Sequence, residues 1–168
     1  MYRQIDEAKS AGASGIALGV LLPDGRVDVN RTRALVEYAR PLGTTFHRAF
    51  DETPDLTEAL EQVIETGAGG VLTSGGAAQV LQGADRIGEL LQQADGRIHM
   101  IAGGGLRLAS LVQVVRRSGT FSLHGSLTNS NGSGCREVDT IKLAADIREA
   151  VRLLRDEFNQ IAAQPQER

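Results

Sequence analysis

The sequence has little of several residue types that would otherwise direct its interpretation. Cysteine occurs once, at Cys135, so an internal disulfide is excluded. No apolar run approaches the roughly 20 residues that span a bilayer, so we expect no membrane partner. The formal net charge of -3 shows no basic excess of the kind that binds nucleic acid, and none is expected as a partner. The polar amino terminus lacks an apolar signal core, so we expect a cytoplasmic location.

Several catalytic and metal-binding patterns are also missing. The chain contains no nucleophile elbow, no Walker phosphate loop and no HExxH motif. Copper(I) prefers thiolate and thioether ligands, and the candidates Cys135, Met1 and Met100 do not stand at ligand spacing. The residues taken alone therefore indicate no metal site and no certain cofactor.

Short apolar segments alternate with amphipathic ones along most of the chain. The apolar segments begin near residues 15, 44, 70, 98 and 121, which is the spacing of strand–helix units. Five such units, preceded by a helix over 2–11, predict a parallel α/β sheet covered by helices. We expect one domain over 1–160 and a frayed tail over 161–168. Either an open doubly wound sheet or part of a (β/α)8 barrel fits this pattern.

The segment 44–51, TTFHRAFD, combines a predicted strand over 44–50 with three ionisable side chains at its end. Such groups are costly to bury unless they pair or bind a ligand, and ligands bind at the carboxyl ends of parallel strands. We interpret His47 as a candidate acid or base, Asp51 as the residue that orients it, and Arg48 as an anion-binding residue. The alternative is a structural ion pair between Arg48 and Asp51, with His47 as a core residue.

Small residues follow the later strands, where exposed amide groups and helix N-termini favour anions. A third catalytic candidate, His124, ends the fifth strand as His47 ends the second. A helix over 77–94 is predicted after the third strand, and Arg107 is a further candidate anion clamp. The glycines alternatively serve only as tight turns. The predicted anion-binding residues are Arg48, Ser74, Gly75, Gly76, Gly103, Gly104, Gly105, Gly125 and Ser126.

The strand-end motifs resemble those of the copper homeostasis protein CutC family. The matching segments are GVLLPDGRVD at 19–28, TFHRAFD at 45–51, VLTSGG at 71–76, MIAGGG at 100–105 and HGS at 124–126. The resemblance implies a partial TIM (β/α)8 barrel of about five βα units that lacks the first three strands. It also implies copper homeostasis and copper ion binding. The cysteines proposed to bind copper in the family lie in the part of the pattern that has no counterpart here, so a reduced or lost metal site is expected.

Two functional hypotheses follow from the residues and the resemblance. The first is a CutC-like protein of copper homeostasis with no established enzymatic activity, in which copper is implied by the resemblance alone. The second is a TIM-barrel enzyme or remnant that acts on a small phosphorylated or carboxylated metabolite by acid–base chemistry. Five strands taken from a closed barrel would leave two unpaired edges, so we also expect self-association through these edges.

Overall fold

A computed structural model describes residues 1–125 and 140–163 of the chain. Ser126 and Cys135 therefore lie outside the described residues. No described helix is both long enough and apolar enough to cross a membrane. The helices are α1 (Tyr2–Ser10), α2 (Val29–Ala39), α3 (Leu56–Glu65), α4 (Ala84–Ala94), α5 (Leu111–Ser118) and α6 (Thr140–Ala162). The strands are β1 (Gly15–Leu18), β2 (Gly43–Phe46), β3 (Gly70–Thr73), β4 (His99–Gly103) and β5 (Leu123–His124).

The five strands form one parallel sheet in the order β1-β2-β3-β4-β5, which is also their order along the chain. A doubly wound sheet reverses its strand order at a switch point, whereas successive units of a (β/α)8 barrel do not. The predicted α/β class and parallel sheet are therefore confirmed, and the observed strand order is that of a barrel segment.

One face of the sheet is covered by helices and holds the core. Phe46 on β2, Val71 on β3 and Met100 on β4 lie side by side in the strand register and are buried. They belong to one apolar cluster with Leu60 of α3 and Ile87 of α4. Alternate residues point to the other face because side chains of a strand alternate between the two faces.

The other face of the sheet is open. Thr45, Leu72 and Ile101 are only half-buried there, and Ala17 is exposed. They line a broad concave surface that encloses about 540 Å³. In a closed barrel this face would look into the barrel interior.

Aspartates begin two of the covering helices. Asp28 Oδ1 accepts a hydrogen bond from the Arg31 amide at 3.0 Å at the start of α2. Asp55 Oδ1 accepts from the amides of Thr57 (2.7 Å) and Glu58 (3.2 Å) at the start of α3. These carboxylates satisfy amide groups that have no partner within the helix, so each helix starts directly after its turn.

Two predicted elements differ from the structure. The predicted strand over 44–50 ends at Phe46, and Arg48–Glu52 form a 3-10 helix, because the His47 side chain caps the turn by accepting from the Ala49 amide at 3.2 Å. The predicted helix over 77–94 begins only at Ala84. A compact turn precedes it, in which Gly75 and Gly76 take φ angles of +71° and +73°, a left-handed conformation that favours glycine.

The predicted domain over 1–160 and tail over 161–168 stay a prediction. Helix α6 continues to Ala162, past the predicted domain boundary at residue 160. Residues 164–168 of the predicted tail lie outside the described part of the chain.

The buried face of the sheet yields a stability prediction. Phe46 is fully buried in the cluster, so Phe46→Ala is expected to lower the free energy of unfolding by about 3–5 kcal/mol. Urea denaturation followed by circular dichroism, at one protein concentration, measures this loss. Phe46→Leu keeps much of the buried apolar volume and should lose less than half as much. A loss under about 1 kcal/mol for Phe46→Ala would contradict the assignment of this face as the core.

Candidate functional site

The carboxylate of Asp51 lies against the end of β3 and is almost fully buried, with 4% of its side chain exposed. It joins the 3-10 helix after β2 to the turn after β3. Its donors are the Thr73 hydroxyl (2.5 Å), the Ser74 amide (3.0 Å), the Ser74 hydroxyl (2.9 Å), the Gly76 amide (3.0 Å) and Arg48 Nε (2.9 Å). The Ser74 hydroxyl is also 2.6 Å from the Ala77 carbonyl, so its single proton serves one of the two acceptors at a time.

These donors determine the charge state of Asp51. Burial by itself would raise the pKa of the carboxyl group, because it disfavours the charged form. The hydrogen bonds from Thr73, Gly76 and Ser74, together with the Arg48 guanidinium, outweigh burial and lower the pKa below the usual range of an aspartate. The side chain is therefore an ionised carboxylate at neutral pH.

The turn after β3 thus binds an anion that the chain itself supplies. The amides of Ser74 and Gly76 donate to Asp51, and the Gly75 amide donates to Thr73 Oγ1 at 2.8 Å. An external anion would have to compete with the Asp51 carboxylate for these groups. The prediction that they bind a ligand stays a prediction, whereas their contact with Asp51 is what the structure shows.

Arg48 connects this cluster to the surface. Its Nε donates to Asp51 and its Nη2 donates to Ser74 Oγ at 2.8 Å, so one edge of the guanidinium is occupied. The ion pair between Arg48 and Asp51, which was the alternative interpretation of the motif, is therefore present. Nη1 makes no hydrogen bond to another described residue, and 42% of the side chain is exposed. The outer edge, formed by Nη1 and Nη2, remains available to two oxygen atoms of a ligand.

The guanidinium of Arg48 lies against the backbone of the loop after β4. A Cβ atom on Gly104 would stand 3.0 Å from Arg48 Cζ and 3.1 Å from Nη1, which is closer than ordinary contact. Gly104 also has a φ angle of +113°, which side-chain-bearing residues rarely adopt. Glycine at this position therefore allows the Arg48 guanidinium to approach the loop this closely.

Arg48 lines an open pocket of about 270 Å³ at the carboxyl ends of the strands, which we call the rim pocket. The pocket brings together residues that follow β2, β4 and β5. Its cationic and titratable members are Arg48, Arg107 and His124, and Leu72 and Leu106 form apolar walls. Its glycine members are Gly104, Gly105 and Gly125. Gly103 lies inside β4 in register with His124 and is buried.

His47 stands apart from the rim pocket. Its Nδ1 accepts a hydrogen bond from the Ala49 amide, which places the proton of the neutral ring on Nε2. The bonds of Asp51 go to Arg48 and to the turn after β3, so the expectation that Asp51 orients His47 is corrected. The ring of His47 lies beside Phe46, with 5.9 Å between the ring centroids.

Two features of this site have no clear signal in the sequence. Thr73 is one of the donors to Asp51; it belongs to the VLTSGG segment that resembles the family, but nothing in that segment indicates its contact with Asp51. Leu72 and Leu106 read as ordinary apolar residues, and only the folded chain shows that they line the pocket. The single available signal for Arg107 is its position directly after a glycine triplet.

The described residues contain no group of three or more histidine, cysteine, aspartate or glutamate side chains placed to hold a metal ion. Cys135 lies outside these residues. Of the possible thioether ligands, Met100 is buried in the core cluster on the helix-covered face of the sheet.

Known proteins match this chain in sequence over most of its length. The model of the CutC family matches residues 1–129. A family protein CutC from Caulobacter vibrioides is 45% identical over 126 residues, which are 75% of this chain and 51% of that protein. One from Chromobacterium violaceum is 38% identical over 136 residues, 81% of this chain and 55% of that protein. The chain therefore spans about half the length of these curated relatives.

Solved structures share the fold. A Streptococcus agalactiae protein given the name copper homeostasis protein CutC superposes with a TM-score of 0.70 at 23% identity, over 76% of this chain and 63% of that chain. A structure described as native KDPGal gives a TM-score of 0.65 at 16% identity, over 95% of this chain and 66% of that chain. At these identities the likeness concerns the fold alone.

Replacement of Asp51 tests the internal anion site. Asp51→Asn puts an amide donor against the donors of Ser74, Gly76 and Arg48, so the free energy of unfolding at pH 7 is expected to fall by about 2–3 kcal/mol. Denaturation with urea at a series of pH values measures the effect.

The pH dependence gives the second part of this test. Because the pKa of Asp51 is lower in the folded chain, its stabilisation is complete above the unfolded-state pKa and is lost as the pH falls through the folded-state pKa. The difference between wild type and Asp51→Asn should therefore shrink on acidification below about pH 4. A difference that stays constant, or grows, as the pH falls would contradict the internal anion site.

Proposed function

The chain belongs to the CutC family, and from this membership and the rim pocket we propose that it binds a small phosphorylated or carboxylated metabolite. The observation that carries the proposal is the geometry of Arg48. Its Nε and Nη2 donate to Asp51 and Ser74, while Nη1 has no hydrogen-bond partner among the described residues and the side chain lines the pocket. A guanidinium held in this way can donate two parallel hydrogen bonds to a phosphate or carboxylate.

The remainder of the pocket suits such a ligand. Arg107 supplies a second positive charge, and the glycine backbones of Gly104 and Gly105 allow a ligand to approach closely. Leu72 and Leu106 offer an apolar wall to the carbon part of a metabolite. The pocket also lies at the carboxyl ends of the strands, which is where barrel proteins of many activities bind their ligands.

The proposal assigns different roles to the three candidate catalytic residues. His124 lines the pocket, which supports it as the residue proposed to give a proton to a bound ligand or to remove one. Asp51 holds Arg48 and His47 caps the 3-10 helix, so neither is assigned a chemical step. The proposed function is accordingly ligand binding, and His124 is the residue proposed for acid–base chemistry on the bound ligand.

A role in copper homeostasis is the second proposal, and its support is the name carried by the CutC protein of Streptococcus agalactiae. The composition of the chain favours a copper site with few ligands, because one cysteine and two methionines are its only soft side chains. We propose that this chain by itself binds copper only weakly.

Anion binding is tested by calorimetric titration with inorganic phosphate and with ribose 5-phosphate. Wild type is expected to bind ribose 5-phosphate, and Arg48→Ala should weaken the binding at least about tenfold, which corresponds to about 1.4 kcal/mol. Arg48→Lys keeps the positive charge but cannot donate two parallel hydrogen bonds, so its affinity should lie between those of wild type and Arg48→Ala.

Arg33→Ala is the matched control for this titration. Arg33 is as exposed as Arg48 and is likewise paired with a carboxylate, that of Glu65, but it lies on α2 outside the rim pocket. Its replacement should leave the affinity unchanged. Equal affinities of wild type and Arg48→Ala for both anions would contradict the proposed function.

Copper binding is tested by titrating Cu(I) against a chromophoric chelator of known affinity. Wild type and Cys135→Ser should both leave copper with the chelator at micromolar protein concentration, since no three soft ligands stand together in the sequence. Submicromolar binding that persists in Cys135→Ser would contradict the proposal of a reduced site.

A further inference from the structure

The side chain of His47 closes the first turn of the 3-10 helix that carries Arg48 and Asp51. Its Nδ1 accepts from the Ala49 amide at 3.2 Å, and this ring is the one hydrogen-bond partner of that amide among the described residues. The His47 carbonyl accepts from the Phe50 amide at 3.1 Å. Arg48 lies between the capping residue and the capped amide, so the cap encloses its backbone.

The ring of His47 is half-buried between the ends of β1 and β2. The His47 amide donates to the Leu18 carbonyl at 2.9 Å, which fixes the backbone of the residue to β1. A Cβ atom on Gly19 would stand 3.1 Å from Cε1 of the ring, so the backbone after β1 packs closely against it. This packing supports the position in which Nδ1 meets the Ala49 amide.

No carboxylate of the described residues forms an ion pair with the His47 ring. The nearby cation, Arg48, is directed to Asp51 and Ser74. Glu52, on the 3-10 helix itself, is exposed. The other acidic groups on the neighbouring segments are bonded elsewhere, namely Asp24, Asp28, Asp51, Asp55 and Glu58. A positive charge on the ring would therefore gain no paired carboxylate in place of the cap.

The cap requires the neutral form of His47. A neutral imidazole accepts one hydrogen bond, whereas an imidazolium carries a proton on both nitrogens and accepts none. Histidine is the side chain whose charge ordinarily changes between about pH 5 and 8. Protonation of Nδ1 leaves the Ala49 amide facing a second N–H group. The far end of the 3-10 helix stays held by the buried Phe50 and by Asp51, so the part that loosens is the first turn, at Arg48.

We propose that His47 makes anion binding at the rim pocket dependent on pH, because protonation of its ring opens the first turn of the 3-10 helix and releases Arg48 from its fixed position. The inference rests on the proposed function, since Arg48 is the residue that carries both. The pocket should hold its anion near neutral pH and release it on acidification. His47 is thus a positioning residue, because it acts through Arg48 and lies outside the pocket.

Amide hydrogen exchange followed by NMR tests the opening of the cap without a ligand. In wild type, the protection of the Ala49 amide should fall at least about threefold as the His47 ring is protonated, which is the size expected for one capping hydrogen bond. In His47→Asn, the side-chain Oδ1 stands where Nδ1 stood and does not titrate, so the protection should persist. Protection of the wild-type Ala49 amide that is unchanged across the titration of the ring would overturn the proposal.

The effect on affinity is tested by calorimetric titration with ribose 5-phosphate at about pH 7.5 and about pH 5.5. The affinity of wild type should fall at least about threefold more between these values than that of His47→Asn. Protonation of the ligand and of His124 occurs in both chains and cancels in this comparison. His47→Ala, which has no acceptor, should bind more weakly than wild type already at the higher pH.

His99→Asn is the matched control, since it removes a histidine at the amino end of β4, the end opposite to the rim pocket. It should keep the pH dependence of wild type. Equal pH dependence in wild type and His47→Asn would overturn this inference and leave the proposed function in place. No binding of ribose 5-phosphate by either chain at either pH would contradict the proposed function instead, and the exchange of the Ala49 amide would then decide whether the cap opens.

Discussion

The buried carboxylate of Asp51 is the interaction on which the arrangement of the strand ends depends. It collects donors from the Thr73 hydroxyl and from the turn that follows β3, and it holds one edge of the Arg48 guanidinium. Removing so many donors from water is unfavourable unless each has a partner, so the carboxylate and the turn require one another. The position of Arg48, and therefore the shape of the rim pocket, follows from this contact.

The repeat of apolar segments was sufficient to predict the parallel sheet, because a strand and its covering helix have a characteristic length. The carboxyl-end location of Arg48 and Asp51 followed from the same pattern. The partners of Asp51 could not be predicted, since Thr73 and Ser74 are 22 and 23 residues away and the choice among donors is made only in the folded chain. The cap that His47 provides could not be predicted either. A histidine ring that accepts a hydrogen bond from the amide two residues further on has no marked sequence pattern.

Family membership and site geometry answer different questions about this chain. The match over residues 1–129 identifies the family, and the strand order is that of a barrel segment. Barrel folds support many functions, so the choice of ligand rests on the pocket itself. There, an arginine held on one edge, with glycine backbones close to it, is the basis of the proposed binding of a small anion.

The central claim, an ionised Asp51 held by the turn after β3, is tested most directly by carbon-13 NMR titration of its carboxyl group. The account predicts a pKa below the usual range of an aspartate in wild type. In Thr73→Val, which lacks one donor, the pKa should rise. A wild-type Asp51 that titrates at or above the usual value would contradict the claim, because burial would then outweigh the donors around it.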